Sequence, residues 1–108
     1  MALTTNTQSN SAGIVNFATG LMVEDGAAAA ITTVTLGFAP RLVRFRNVTD
    51  RISDEWYEGM ASASSIHTLA NGTVSLETTN GIAVSGNAFT LTATTMAASK
   101  TYVWEAFA

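Results

Sequence analysis

The chain has no cysteine, one proline and one histidine, and only 12% of its 108 residues are charged. Lack of cysteine excludes disulfides, thiolate metal sites and a cysteine nucleophile together. Folding must then rest on an apolar core alone, or on that core plus oligomerisation. A lone histidine supplies no metal-ligand spacing and no independently supported Ser-His-Asp arrangement. The formal net charge of −3 lacks the basic excess that neutralises nucleic-acid phosphates. No run approaches the roughly 20 apolar residues that span a bilayer, and MALTTNTQSNSAG has neither the charged start nor the apolar centre of a signal peptide. The expectation is a chain made and used without secretion, with no nucleic-acid or membrane partner.

What is present is a 47% apolar fraction, enough for one core in a chain of this length. The scarcity of charge leaves a surface built from Thr, Ser, Asn, Gly and Ala. Such a surface can be covered by a partner at low desolvation cost, although Thr is also simply a good exposed strand residue. The Asn-x-Ser/Thr triplets at Asn47 and Asn71 read as chance matches in a Thr-rich chain.

Residues 1–13 are polar and nearly uncharged and read as a flexible N-terminal arm, long enough when extended to reach about 40 Å across a neighbour, or else as a frayed end. Residues 14–108 read as a single domain. Its apolar residues fall in short runs between turn signals, which predicts strands at Ile14–Met22, Ala30–Leu36, Arg41–Val48, Glu55–Met60, Ser65–Ala70, Thr73–Thr78, Ile82–Val84, Ala88–Ala93 and Thr101–Phe107. Ala27–Ala30 could instead make one helical turn. Asn71-Gly72 predicts a two-residue hairpin turn pairing Ala70 with Thr73 and His67 with Leu76, which puts His67, Leu69, Val74 and Leu76 on one apolar face. Ser85-Gly86-Asn87 predicts a second turn. The expected fold is all-β, an antiparallel two-sheet sandwich, jelly-roll-like or Ig-like.

Chemistry is sparse. His67 falls among core positions and reads as a satisfied imidazole at the core edge. Asp50, Asp54, Glu55 and Glu58 could supply a glycosidase pair, but their interleaving with Arg51 favours a solvated, ion-paired loop. None of the eight glycines forms a phosphate cradle with a following lysine and helix. Neither an enzyme nor a cofactor is expected.

The informative stretch runs from Gly37 to Val48. Four of the five basic residues, Arg41, Arg44, Arg46 and Arg51, lie between positions 41 and 51. On a strand Arg44 and Arg46 share one face while Val43 and Phe45 share the other. Trp56 and Tyr57 follow closely, and Arg, Trp and Tyr are the residue types enriched at interface hot spots. Arg41, Arg44, Arg46, Trp56 and Tyr57 are therefore the candidate protein-interface residues. The alternative is that Arg44 and Arg46 guard an edge strand against unwanted pairing.

GFAPRLVRFRNVTDR, then DEWYEGM, then a Gly/Asn/Thr-rich meander and a final TYVWEAFA give residues 37–108 a character that resembles small tailed-bacteriophage virion structural proteins of the capsid decoration or cement type. The resemblance implies a β-rich protein, jelly-roll-like or Ig-like, made in the host cytoplasm and located at the capsid surface of the virion. It implies binding to the major capsid protein as a dimer or trimer, and stabilisation of the shell. Other readings are a tail, neck or fibre structural component, or a carbohydrate-binding β-sandwich in which Trp56, Tyr57 or Tyr102 stacks on sugar rings.

Overall fold

A computed structural model of the chain describes residues 16–26 and 30–108. The arm at 1–13 and, of the alternative helical turn at Ala27–Ala30, all but Ala30 lie outside the described residues. Among the described residues all regular structure is β, in eight strands: β1 Phe17–Val23, β2 Thr32–Thr35, β3 Leu42–Asn47, β4 Ile52–Tyr57, β5 Ser64–Thr68, β6 Val74–Ser85, β7 Ala88–Leu91 and β8 Thr101–Phe107. No helix among them is long and apolar enough to cross a membrane.

The strands form one antiparallel sheet in the order β1-β8-β3-β4-β5-β6-β7-β2, curled into a half-barrel. The expected antiparallel all-β chain is present, but hydrogen bonding does not divide it into two separate sheets. The reason lies in β6. Thr73–Thr78 and Ile82–Val84, expected as two strands, are parts of one twelve-residue strand. Its first part pairs with β5 and its last with β7, and the register against β5 shifts between Ser64 and Ser65. Residues 78–81 bulge out between the pairings Ser65–Glu77 and Ser64–Ile82, and at the start of the bulge the Glu77 carboxylate accepts the backbone N–H groups of Thr78 at 2.9 Å and Thr79 at 3.2 Å. Gly81 then passes so close to β5 that a Cβ there would lie 2.4 Å from the Ser64 carbonyl carbon. Thr-Asn-Gly therefore bends a strand instead of ending one.

That bend carries β7 over the inner face of β8, where Phe89 meets Trp104 edge-on at 5.2 Å between ring centroids. Phe45 stacks on Tyr102 at 5.0 Å. These rings, with Val43, Trp56, Ile82, Leu91, Met96 and Ala106, make the core. The Tyr102 hydroxyl accepts the Ala97 N–H at 2.6 Å and donates to the Thr95 carbonyl at 3.0 Å, so its burial leaves no orphan polar group.

Two local readings need correction. β4 begins at Ile52 and not Glu55, because the Asn47 side chain closes the preceding turn on Asp50 at 2.9 and 3.0 Å and Arg51 adopts a positive φ of 59°. The β5–β6 hairpin has a three-residue loop, Ala70-Asn71-Gly72. Leu69 N–H bonds the Thr73 carbonyl, Gly72 N–H bonds the Leu69 carbonyl, and only Gly72, at φ 90°, is left-handed. Asn71 spends its side chain on the Thr73 N–H at 3.0 Å. The register is thus one residue from that expected, with His67 opposite Ser75 and Ile66 opposite Leu76. A one-residue slip reverses faces, and Val74 and Leu76 point to solvent, not to the core. The second turn falls where expected but is one residue shorter: Ser85 belongs to β6 and pairs with Ala88, leaving Gly86-Asn87 as a two-residue connection with Gly86 at φ 57°.

Candidate interaction face

Alternation along β4, β3, β8 and β1 assigns every second side chain to the outer face of the half-barrel. The strand registers align these in rows. Tyr57, Leu42, Phe107 and Phe17 form one; Glu55, Arg44, Glu105 and Thr19 the next; Ser53, Arg46, Val103 and Leu21 a third. The inward residues between them, Val43, Phe45, Asn47, Tyr102 and Ala106, are buried. Among the described residues one face therefore holds the fold while the other carries the exposed side chains.

The middle row is internally neutralised. Arg44 Nη1 lies 3.4 Å from Glu105 Oε1, and the Tyr57 hydroxyl donates to Glu55 Oε2 at 2.8 Å. The Tyr57 hydroxyl and then Glu105 push the Arg44 guanidinium pKa above its ordinary value, while Arg44 Nε is buried with no hydrogen-bond partner among the described residues. Arg41 pairs at 3.4 Å with Glu58. Arg46, exposed in the third row, has no ion pair or side-chain hydrogen bond among the described residues. Beside it Val103 and Leu21 are 37% and 68% exposed, and a groove of about 650 Å³ runs between Thr19, Leu21, Arg44, Arg46, Val103 and Glu105. Phe17 packs against Phe107 with the rings tilted at 46° and 4.8 Å between centroids, yet stays 54% exposed.

Of the five interface candidates, Arg41, Arg44, Arg46 and Tyr57 reach this outer side. Trp56 does not: it is 7% exposed and points inward, donating its indole N–H to the Ala61 carbonyl at 3.2 Å. As neighbours on a strand, Trp56 and Tyr57 must take opposite faces. Sequence reasoning missed Phe17, Leu21 and Val103. Alternation in FATGLMV and TYVWEAF was visible, but nothing in either segment tells which of its two apolar sets is buried.

On the inner face, Asp54 is a buried carboxylate and not part of a solvated loop. Its Oδ1 accepts Ser65 Oγ at 2.7 Å and contacts His67 Nδ1 at 2.8 Å. His67 is thereby satisfied at the core edge, beside a cleft of about 290 Å³. Ser65 gives its proton to Asp54 and not to His67, so these three lack the nucleophile-to-base hydrogen bond of a triad. No group of three or more His, Asp and Glu among the described residues could hold a metal ion. In comparisons with models of known families, with curated proteins and with solved structures, the chain matches none.

Proposed function

We propose that the chain is a structural protein of a tailed-phage virion, most specifically a decoration or cement protein that binds the major capsid shell through the outer face of β3, β8 and β1. The observation that carries this reading is Arg46. It is an exposed cation without a partner among the described residues, in one row with exposed Val103 beside it and Leu21 one strand beyond, on the side of the sheet that does not build the core. Apolar neighbours and an unpaired guanidinium suit a carboxylate-bearing protein surface, which Arg engages bidentately. The resemblance of residues 37–108 to virion proteins supplies the identity of that surface. The carbohydrate reading is weaker, since Trp56 and Tyr102 are buried and of the three stacking residues only Tyr57 remains exposed.

The test is occupancy on shells that lack the native copy, with thermal unfolding measured on the same variant. Replacing Arg44 and Arg46 together by Gln should change stability by about 0–1 kcal/mol. Affinity read from the occupancy titration should fall by about 2 kcal/mol or more, roughly thirtyfold, because partner carboxylates would stay buried without their counter-charge. Unchanged occupancy would remove this face from the contact. A copy number far below that of the shell subunits would instead favour a neck, tail or fibre position.

A further inference from the structure

Among the described residues β1 is an edge of the sheet, bonded on one side only, to β8. Natural edges are ordinarily guarded by charge, proline, a bulge or shortness. β1 has none of these: FATGLMV is uncharged, contains no proline, runs for seven residues and keeps its register throughout.

The orientation of its open groups follows from the bonds at its two ends. Asn16 and Ala108 exchange both main-chain hydrogen bonds, at 3.2 and 2.9 Å, and Glu24 N–H reaches the Lys100 carbonyl at 2.9 Å. Even-numbered residues from 16 to 24 are thus turned toward β8. In an antiparallel ladder the intervening residues turn the other way, so Phe17, Thr19, Leu21 and Val23 present their N–H and C=O groups to the open edge. The same four side chains lie on the outer face, where Phe17, Leu21 and Val23 are 54%, 68% and 70% exposed.

We infer that β1 is a dimerisation strand, pairing antiparallel with β1 of a second copy about a two-fold axis at Gly20. In this register Phe17 lies opposite the partner's Val23 and Thr19 opposite the partner's Leu21, with Gly20 facing its own counterpart. All the open groups of both edges are then used. Four residue pairs, each exchanging two bonds, give about eight main-chain hydrogen bonds, within the range a standard protein interface carries. The apolar rows of the two outer faces become continuous: Phe107 and Phe17 of one copy run on to the partner's Val23. Gly20 itself is required within one copy, since Trp104 fills the space above it on the inner face and a Cβ there would lie 2.2 Å from the indole nitrogen.

Two other occupants fit less well. Residues 1–15 enter at Asn16, but their central stretch TTNTQSNS would lay polar side chains beside Phe17 and Leu21. The other open edge among the described residues, β2, has only four residues, TTVT. Its pairing with β1 of another copy would be head-to-tail and would propagate into filaments rather than close.

The experiment uses the isolated full chain, so it succeeds or fails independently of shell binding. Sedimentation equilibrium should show a closed dimer. Leu21→Lys places a charge at an exposed edge position and should raise the dimer dissociation constant at least about tenfold while leaving the circular dichroism spectrum unchanged. Thr19→Pro, which removes an N–H that faces the open edge, should act likewise. Because the chain has no cysteine, the register can be read by oxidation. A mixture of Thr19→Cys and Leu21→Cys chains should form a cross-linked heterodimer faster than either variant alone, directly opposed Cα atoms being about 5.5 Å apart and diagonal ones about 7–8 Å. A monomeric native chain, a filament, a dimer indifferent to Leu21→Lys, or equal cross-linking by one variant alone would overturn the inference.

Discussion

Strands β3 and β8 each carry two surfaces of opposite character on one backbone. Inward, Val43, Phe45, Tyr102 and Ala106 are buried to 1% exposure or less. Outward, at alternate positions, stand Arg44, Arg46, Val103 and Glu105, of which Arg44 and Glu105 are paired only by a 3.4 Å contact. The inner set is fixed by packing that no solvent could replace. The outer set is held loosely, and its members can exchange one partner for another at small cost to the fold. Stability and recognition are thus separated by the two-residue period of the strand itself, and adjacent substitutions should report on different properties.

The sharpest way to break that contrast is at neighbouring positions 45 and 46. Phe45→Ala removes a ring stacked on Tyr102 at 5.0 Å and should destabilise the chain by about 3–5 kcal/mol in chemical denaturation. Arg46→Gln, one residue along, should leave the midpoint nearly unchanged. Comparable losses at the two positions would mean that the outer face also holds the fold.

A smaller effect separates the bent part of the sheet from its hairpin tip. Gly72 closes the β5–β6 loop at φ 90° with no atom near enough to obstruct a Cβ, so Gly72→Ala meets backbone strain alone. The expected cost is about 1 kcal/mol, measured as a lowered denaturation midpoint. A neutral or stabilising result would require a loop conformation other than the left-handed one.

The same hairpin illustrates what could be read in advance. The turn was legible because Gly at a positive φ has few substitutes. Its length was not, because Asn71-Gly72 serves equally a two-residue turn and the last two positions of a three-residue loop, and the choice depends on the Asx contact from Asn71 to Thr73. One residue of loop length reverses the hairpin's faces, so that inference failed with it and Val74 and Leu76 emerged on the solvent side. β8 was read to the residue, and its flanking loops have no competing register. The outward direction of Arg44 and Arg46 followed from alternation alone. The inward direction of Trp56 followed from the same rule once β4 starts at Ile52, but the start depends on the turn at Asn47 and Asp50. Asp54 was read as solvated because a buried carboxylate is recognisable only when its partners, Ser65 and His67, are known to lie across the next strand.

The two sides of the sheet also differ in how they respond to pH, the smallest effect and the most diagnostic. At the sheet rim, Lys100 at 3.1 Å, with help from Asn47, holds the Asp50 carboxyl below its ordinary pKa, and the backbone N–H of Thr79, then those of Asn80 and Thr78, do the same for Glu77. Both groups are depressed in the folded chain, so their contribution is present above the ordinary carboxylate range of about 4 and is lost as pH falls through the lower folded values. In the core the sign is reversed. Burial raises the Tyr102 phenol above its ordinary value of 10.0, so the neutral phenol favours the folded chain. That contribution is complete below the unfolded phenol's pKa and is lost as pH rises through the folded one. Ionisation also removes the proton that Tyr102 donates to the Thr95 carbonyl at 3.0 Å. Denaturation midpoints measured against pH should therefore fall at both extremes. Tyr102→Phe should lower the plateau while flattening the alkaline branch and leaving the acid branch intact, whereas Asp50→Asn should flatten only the acid branch. An alkaline branch that keeps its slope in Tyr102→Phe would assign that loss to a group outside the core.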